Sequence, residues 1–149
     1  MPNPDTVPDE PPVVWMPGGV RTEVHLRAAD TGGGFCLLVD HPPAGWSLPP
    51  HRHLNEAETI HIVEGEFEMH VDGTHTRLDP GQTLHIPRGV THSGGNVGDR
   101  PGRRVVMFSP AGLEEFFLEV GAPARDAGTD PGAAVRSARR HGWEFVDGA

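Results

Sequence analysis

Residues 45–65 read GWSLPPHRHLNEAETIHIVEG, and the spacing of three side chains within them decides the fold. His51 and His53 are two apart, and Glu58 follows five positions later. Side chains at i and i+2 of a strand share a face. An extended segment over 51–53 therefore points both imidazoles one way and Arg52 the other. Pro49 and Pro50 favour extended backbone at this point. After a short polar turn, Leu54 to Ala57, Glu58 opens the apolar run Thr59 to Val63. An antiparallel return brings Glu58 opposite the histidines. Two imidazoles and a carboxylate converging from neighbouring strands suit a divalent transition metal.

A second stretch, residues 81–96, reads GQTLHIPRGVTHSGGN. Its Pro87-Arg88-Gly89 corner ends one strand and starts the next, which delivers His92 to the same pocket as a fourth ligand. The two stretches together resemble the two motifs of the cupin superfamily. The first motif is matched at every fixed position by Gly45, His51, His53, Glu58 and Gly65, and the second by Gly81, Pro87, Gly89, His92 and Asn96. The spacer between them is short, as in small single-domain members. The resemblance implies an all-β double-stranded β-helix, a jelly-roll barrel with C-terminal helices. It also implies one divalent transition metal ion (Fe, Mn, Co, Ni, Cu or Zn) held by His51, His53, Glu58 and His92.

The rest of the composition fits that frame. A length of 149 residues suits one domain, and 20 Gly and 16 Pro between short apolar runs favour many turns and an all-β fold. A net charge of −9 disfavours a nucleic-acid backbone or an anionic membrane as partner. The single cysteine, Cys36, excludes an intrachain disulfide and reads as a buried thiol. No signal peptide is expected from the acidic N-terminus, and no apolar run approaches membrane-spanning length. The expectation is a soluble, cytoplasmic protein.

Three segments follow. Residues 1–12, proline-rich and acidic, are expected to be poorly ordered. The barrel is expected over 13–110, beginning with an edge strand, Val13 to Met16, that pairs with a sheet of this chain or of a partner in a homodimer. Val20 to Ala28 alternates as a half-buried strand, and Asp30 to Gly34 reads as a turn. Asp72-Gly73 marks a hairpin. Beyond residue 110 the apolar period becomes helical. Leu113, Phe116, Phe117 and Val120 predict a helix with Ser109 as cap and Pro110 in its first turn. A second helix is expected over Pro131 to His141, capped by Asp130, then an extended piece, Trp143 to Val146. Residues 111–149 thus read as a helical extension packed on the barrel.

Several residues are set apart from the site. Glu56, three beyond His53, is a rival ligand, but Glu58 fits the family spacing and Glu56 is expected to be solvated. His61 has the wrong parity to face the metal with Glu58, His70 and His75 flank the hairpin, and His85 reads as a packed or interface histidine. Ile60 and Ile62 should face the interior, with Phe67, Met69, Phe108 and Trp46 as an apolar wall. Such a mouth suits a planar organic molecule better than a sugar or a phosphate.

Three functions compete on this frame. The resemblance to quercetin dioxygenase-like cupins implies a metal-dependent oxidoreductase acting on a small phenolic or enolic substrate, with Glu58 also acting as catalytic base. A non-catalytic metal- or small-molecule-binding cupin is the alternative, as is an isomerase, cyclase or lyase that uses the metal as a Lewis acid.

Overall fold

The alternating segments form strands that pair in two antiparallel sheets. The computed structural model describes residues 10–146, so most of the 1–12 segment lies outside the described residues. Pro12 is already tied to the fold, its carbonyl accepting the Val24 N–H at 2.9 Å. The first strands are β1 (Val13–Met16), β2 (Val20–Leu26) and β3 (Cys36–His41), with one helical turn, α1 (Ala28–Thr31), between the last two. Next come β4 (Ser47–His53), β5 (Ala57–Glu64), β6 (Phe67–Val71), β7 (Thr74–Leu78), β8 (Thr83–Ile86), β9 (His92–Asn96) and β10 (Arg103–Ser109). The chain closes with α2 (Glu114–Val120), α3 (Pro131–Arg140) and β11 (Trp143–Phe145). One sheet runs β1-β2-β3-β10-β5-β8 and the other β11-β4-β9-β6-β7. This is a double-stranded β-helix.

Alternation and burial agree along these strands. Val20, Thr22 and Val24 of β2 are buried, as are Val106 and Phe108 of β10. The apolar interior has two parts. Ile60, Ile62, Phe67, Met69, Leu78 and Ile86 fill one. The other gathers residues of β1, β2, β3 and β10 with Leu113 and Phe116 of the α2 region and Trp143 of β11.

Local chemistry moves several expected boundaries. The strand from Val20 stops at Leu26, because the Asp30 carboxylate accepts the Arg27 N–H at 2.9 Å and Gly32, at φ 62°, closes the single turn of α1. The helix expected to start near Pro110 begins at Glu114 instead. Ser109 does not cap it: it ends β10, and its hydroxyl donates to the Gly34 carbonyl at 3.0 Å. The fully buried Glu114 carboxylate takes the Gly112 and Ala28 N–H groups and pins the start of α2 to the barrel. For α3 the Asp130 carboxylate accepts the N–H groups of Gly132 and Ala133, as the sequence predicts. The apolar segment β1 pairs with β2 of its own chain, and its outer edge meets Ala122 at Trp15.

Close backbone approach explains the Gly94-Gly95 pair in β9. This strand lies between β4 and β6. A Cβ at Gly95 would collide with the Trp46 carbonyl, and one at Gly94 with the Glu68 carbonyl. The two glycines let β9 fit the gap and carry His92 into the interior.

Candidate metal centre

His51 and His53 sit two apart on β4 and are 3 % exposed each, which is the shared face that the spacing predicts. Pairing of β4 with β9 is regular at Ser47 and Leu48, shifts across Pro49-Pro50, and resumes with His51 opposite His92. Neither proline has an N–H to give the ladder, so the irregularity falls where it is cheapest. Glu58 comes from the other sheet, on β5, opposite Phe108 of β10. Donor atoms of the four side chains lie within 4.8 Å of one another.

Backbone carbonyls orient two of the rings. His51 Nδ1 donates to the Pro49 carbonyl at 2.8 Å and His92 Nδ1 to the Val90 carbonyl at 3.0 Å. A carbonyl only accepts, so Nδ1 carries the proton in both rings and Nε2 is the inward atom, the usual arrangement behind a metal-binding imidazole. His92 Nε2 stands 3.1 Å from Glu58 Oε1 and His53 Nε2 stands 3.4 Å from the same oxygen. Three neutral-capable nitrogens and one carboxylate, buried and aimed at one point, fit a divalent transition ion.

Charge in the cluster follows from these contacts. Burial alone would raise the Glu58 pKa, but hydrogen bonds from His53 and His92 hold it well below the usual carboxylate range. Burial opposes charge on His92, yet the Glu58 hydrogen bond and charge leave it above its ordinary value. His51 is pushed down to about 4 by burial and by the neighbouring His92. Protonated His92 and a metal compete for the same Nε2.

Three features of the surroundings were not legible in the sequence. The first is β11, which extends the second sheet along β4, with Trp143 opposite His53 and Phe145 opposite His51. The Trp143 ring lies 4.8 Å from His53 and 5.2 Å from His51, and it backs both imidazoles. Its indole Nε1 and His53 Nδ1 are buried with no hydrogen-bond partner among the described residues. The second is Glu56, expected to be solvated. It is only 5 % exposed, its Oε2 has no partner among the described residues, and burial raises its pKa. The third is a buried ion pair. Arg104 Nε and Nη2 donate to the two Asp40 carboxylate oxygens at 2.9 and 2.7 Å.

A cavity of about 290 Å³ opens from the cluster. His51, His53 and Glu58 line one part of it, and Asp40 and Arg104 another. Leu38, Val106 and Phe108 form barrel wall, while Phe116, Val135 and Ala138 come from the C-terminal helices. Of the expected wall, Phe108 and Trp46 line this cavity. Phe67 and Met69 instead pack with Ile60 and Ile62 in the separate core.

The remaining histidines stand apart from the cluster. His61 Nδ1 meets the Thr83 hydroxyl at 2.8 Å, and His70 and His75 face each other across the β6–β7 hairpin with ring centroids 4.8 Å apart. His85 is exposed rather than packed, with Nδ1 2.9 Å from the Thr59 hydroxyl. It lies on β8, at the edge of its sheet, and points away from the interior.

Comparison with known proteins agrees with this architecture. The Cupin domain family model matches residues 37–108. Quercetin 2,3-dioxygenase of Bacillus subtilis is 31 % identical over 94 residues, which covers 63 % of this chain and 28 % of that protein. Polyketide synthase CurC of Streptomyces cyaneus is 33 % identical over 93 residues, covering 62 % of this chain and 60 % of that one. Protein SchB of Streptomyces halstedii is 31 % identical over 102 residues, 68 % of this chain and 73 % of that one. The chain therefore spans under a third of the dioxygenase and more than half of CurC. Among solved structures, an RmlC-like cupin from Shewanella frigidimarina superposes with a TM-score of 0.62 at 20 % identity, over 76 % of this chain and 96 % of that one. No helix among the described residues is long and apolar enough to cross a membrane.

Proposed function

The chain belongs to the cupin family, and from that premise we propose that it is a metal-dependent enzyme acting on a small phenolic or enolic molecule in the cavity beside Trp143. The observation that carries this reading is the convergence of four buried donors, two of them with Nδ1 fixed on carbonyls and three of them lining a mainly apolar cavity whose other charged lining is the Asp40–Arg104 pair. His51, His53, Glu58 and His92 would hold one divalent ion, Fe, Mn, Co, Ni, Cu or Zn. Such an ion, when bound, supplies Lewis-acid stabilisation of a substrate oxygen and lowers the pKa of a hydroxyl placed on it.

The chain's own residues account for the remaining chemistry. Glu58 is kept ionised by its two histidine neighbours, which also weaken it as a base, so it would accept the proton of a substrate hydroxyl that a bound ion has made acidic. Trp143, Phe108 and Phe116 hold a flat ring system and exclude water from it. Oxygenation by dioxygen, with both oxygen atoms entering the product, is one outcome for an enolate held in this way, and the likeness to the Bacillus subtilis dioxygenase supports it. A non-oxidative conversion is the second reading. It is favoured by the likeness to CurC, of which the chain spans 60 %.

Elemental analysis and oxygen uptake test the proposal. The wild type should carry close to one divalent ion per chain. His51→Ala combined with His92→Ala should lose it while the far-ultraviolet dichroism of the barrel persists. Retention of the ion by the double variant rejects the ligand assignment. Protein loaded in turn with Fe, Mn, Co, Ni and Cu should consume oxygen with a flavonol. If it consumes none and converts the compound without oxygen, the second reading stands.

A further inference from the structure

We propose that the Asp40–Arg104 pair is a second recognition point in the cavity, selecting a flat ligand that carries a hydroxyl remote from its enolic end. The inference rests on the phenolic or enolic reading of the site and names the specificity within it.

The strand register sets the geometry. Arg104, Val106 and Phe108 alternate into the interior from β10. Phe108 is opposite Glu58 on β5 and Arg104 is opposite Asp40 on β3, with Leu38 opposite Val106 between them. Arg104 and Phe108 are four positions apart on the strand, which sets their Cα atoms about 13 Å apart, while the Arg104 charge still acts on Glu58 and His92. All of these residues line the cavity, so it is a slot with a polar group at each end and aliphatic side chains between.

A buried ion pair is weak evidence of a purely stabilising role. Taking two charges out of water is costly, and an apolar pair of similar volume often serves stability as well or better. Arg104 and Asp40 are 7 % and 8 % exposed. Arg104 spends Nε and Nη2 on Asp40, which leaves Nη1 without a protein partner among the described residues yet still accessible to water. Each Asp40 oxygen keeps an unused lone pair. The guanidinium packs beside two aromatic rings, with its Cζ 5.1 Å from the Trp46 ring and 5.5 Å from the Phe67 ring. The pair as a whole is neutral, so it has no attraction for a carboxylate or phosphate, which would also meet the Asp40 charge. It presents one donor beside one acceptor. A hydroxyl, which both donates and accepts, is the group that satisfies both.

Three probes test this without requiring a variant to fold. They are flavonol with only its enolic hydroxyl, its para-hydroxyphenyl derivative and its para-methoxyphenyl derivative. Binding to the zinc-loaded protein is followed by ligand fluorescence, so that no turnover intervenes. The hydroxyphenyl compound should bind about 10-fold tighter than either of the others, the size of one hydrogen bond to a charged group. The double variant Asp40→Leu, Arg104→Met should bind all three with the affinity that the wild type has for flavonol itself. Equal affinities in the wild type, or a preference that survives in the double variant, overturns the subsite while leaving the enol-binding reading intact. Failure of all three probes to bind the wild type overturns that reading and the subsite with it.

Discussion

Removal of the indole at Trp143 tests whether the C-terminal strand is part of the barrel wall or a detachable cover. Trp143 is 7 % exposed and packs its ring 4.8 Å from His53, 5.2 Å from His51 and 5.0 Å from Phe116. A buried aromatic of this size contributes through apolar area and close contact, and truncation to alanine in a core costs about 3–5 kcal/mol. For a chain of this length each kcal/mol moves Tm by about 2–4 °C. Trp143→Ala should therefore lower the Tm of chelator-treated protein by about 6–20 °C, measured by circular dichroism. Trp143→Phe is the control. It keeps a ring in the wall and deletes an indole N–H that has no partner among the described residues, so its cost should stay near 1 kcal/mol or less. A Trp143→Ala variant that melts within about 2 °C of wild type would show that β11 is peripheral. A Trp143→Phe variant as unstable as the alanine one would show that Nε1 has a partner in solution, and the packing account would fail.

The four clustered residues were legible in the sequence because their placement needs only strand parity and one turn. His51 and His53 share a face by the two-residue period, and Glu58 returns across the next strand. His92 follows the Pro87-Arg88-Gly89 corner and pairs directly opposite His51. Parity also removed His61 from the site, where it is found hydrogen bonded to Thr83 on the outside of the sheet. Residues whose role depends on a distant segment were not legible. Nothing near Glu56 in the sequence announces that it will be covered, and nothing near residues 143–145 announces that they will return to pair with β4. Arg104 was within reach, since its parity with Val106 and Phe108 already pointed it inward. What the sequence lacked was Asp40, the partner that makes an inward arginine tolerable and lies 64 residues away. The start of α2 failed for a similar reason. The carboxylate that fixes α2 is its own Glu114, bound to the backbone of Ala28 as well as Gly112, so no local cap marks the boundary.

Four further outcomes follow. The Glu23 carboxylate is held at about 2, against the pull of burial, by hydrogen bonds from His25, His41 and Arg21. Its contribution is present above the ordinary carboxylate pKa and lost as pH falls towards 2. Glu23→Gln should cost about 1–2 kcal/mol in urea denaturation at pH 7 and nothing near pH 2; equal cost at both pH values would rule the ion pairing out. Gly95→Ala, whose methyl would meet the Trp46 carbonyl, should displace β9 and yield protein that fails to retain zinc on dialysis; normal retention would refute the tight fit. We expect a homodimer, since β7 and β8 each leave one edge unpaired among the described residues, and light scattering that gives the mass of one chain at micromolar concentration would reject it. The last outcome concerns Glu56. Burial raises its pKa, with the charges of His53, His141 and Arg88 opposing the rise only in part. A raised carboxyl favours the folded state below its unfolded pKa and loses that advantage as pH rises through the folded value, because the chain must then bury a charge whose Oε2 has no partner among the described residues. Glutamine has the same shape and no charge to bury. Glu56→Gln should thus leave stability unchanged at pH 4 and raise it at pH 8 in chelator-treated protein. A loss at pH 8 would mean that the carboxylate is ionised against a real partner, the unpartnered Nδ1 of His53 being the nearest in sequence, and Glu56 would then belong to the machinery that orients that histidine.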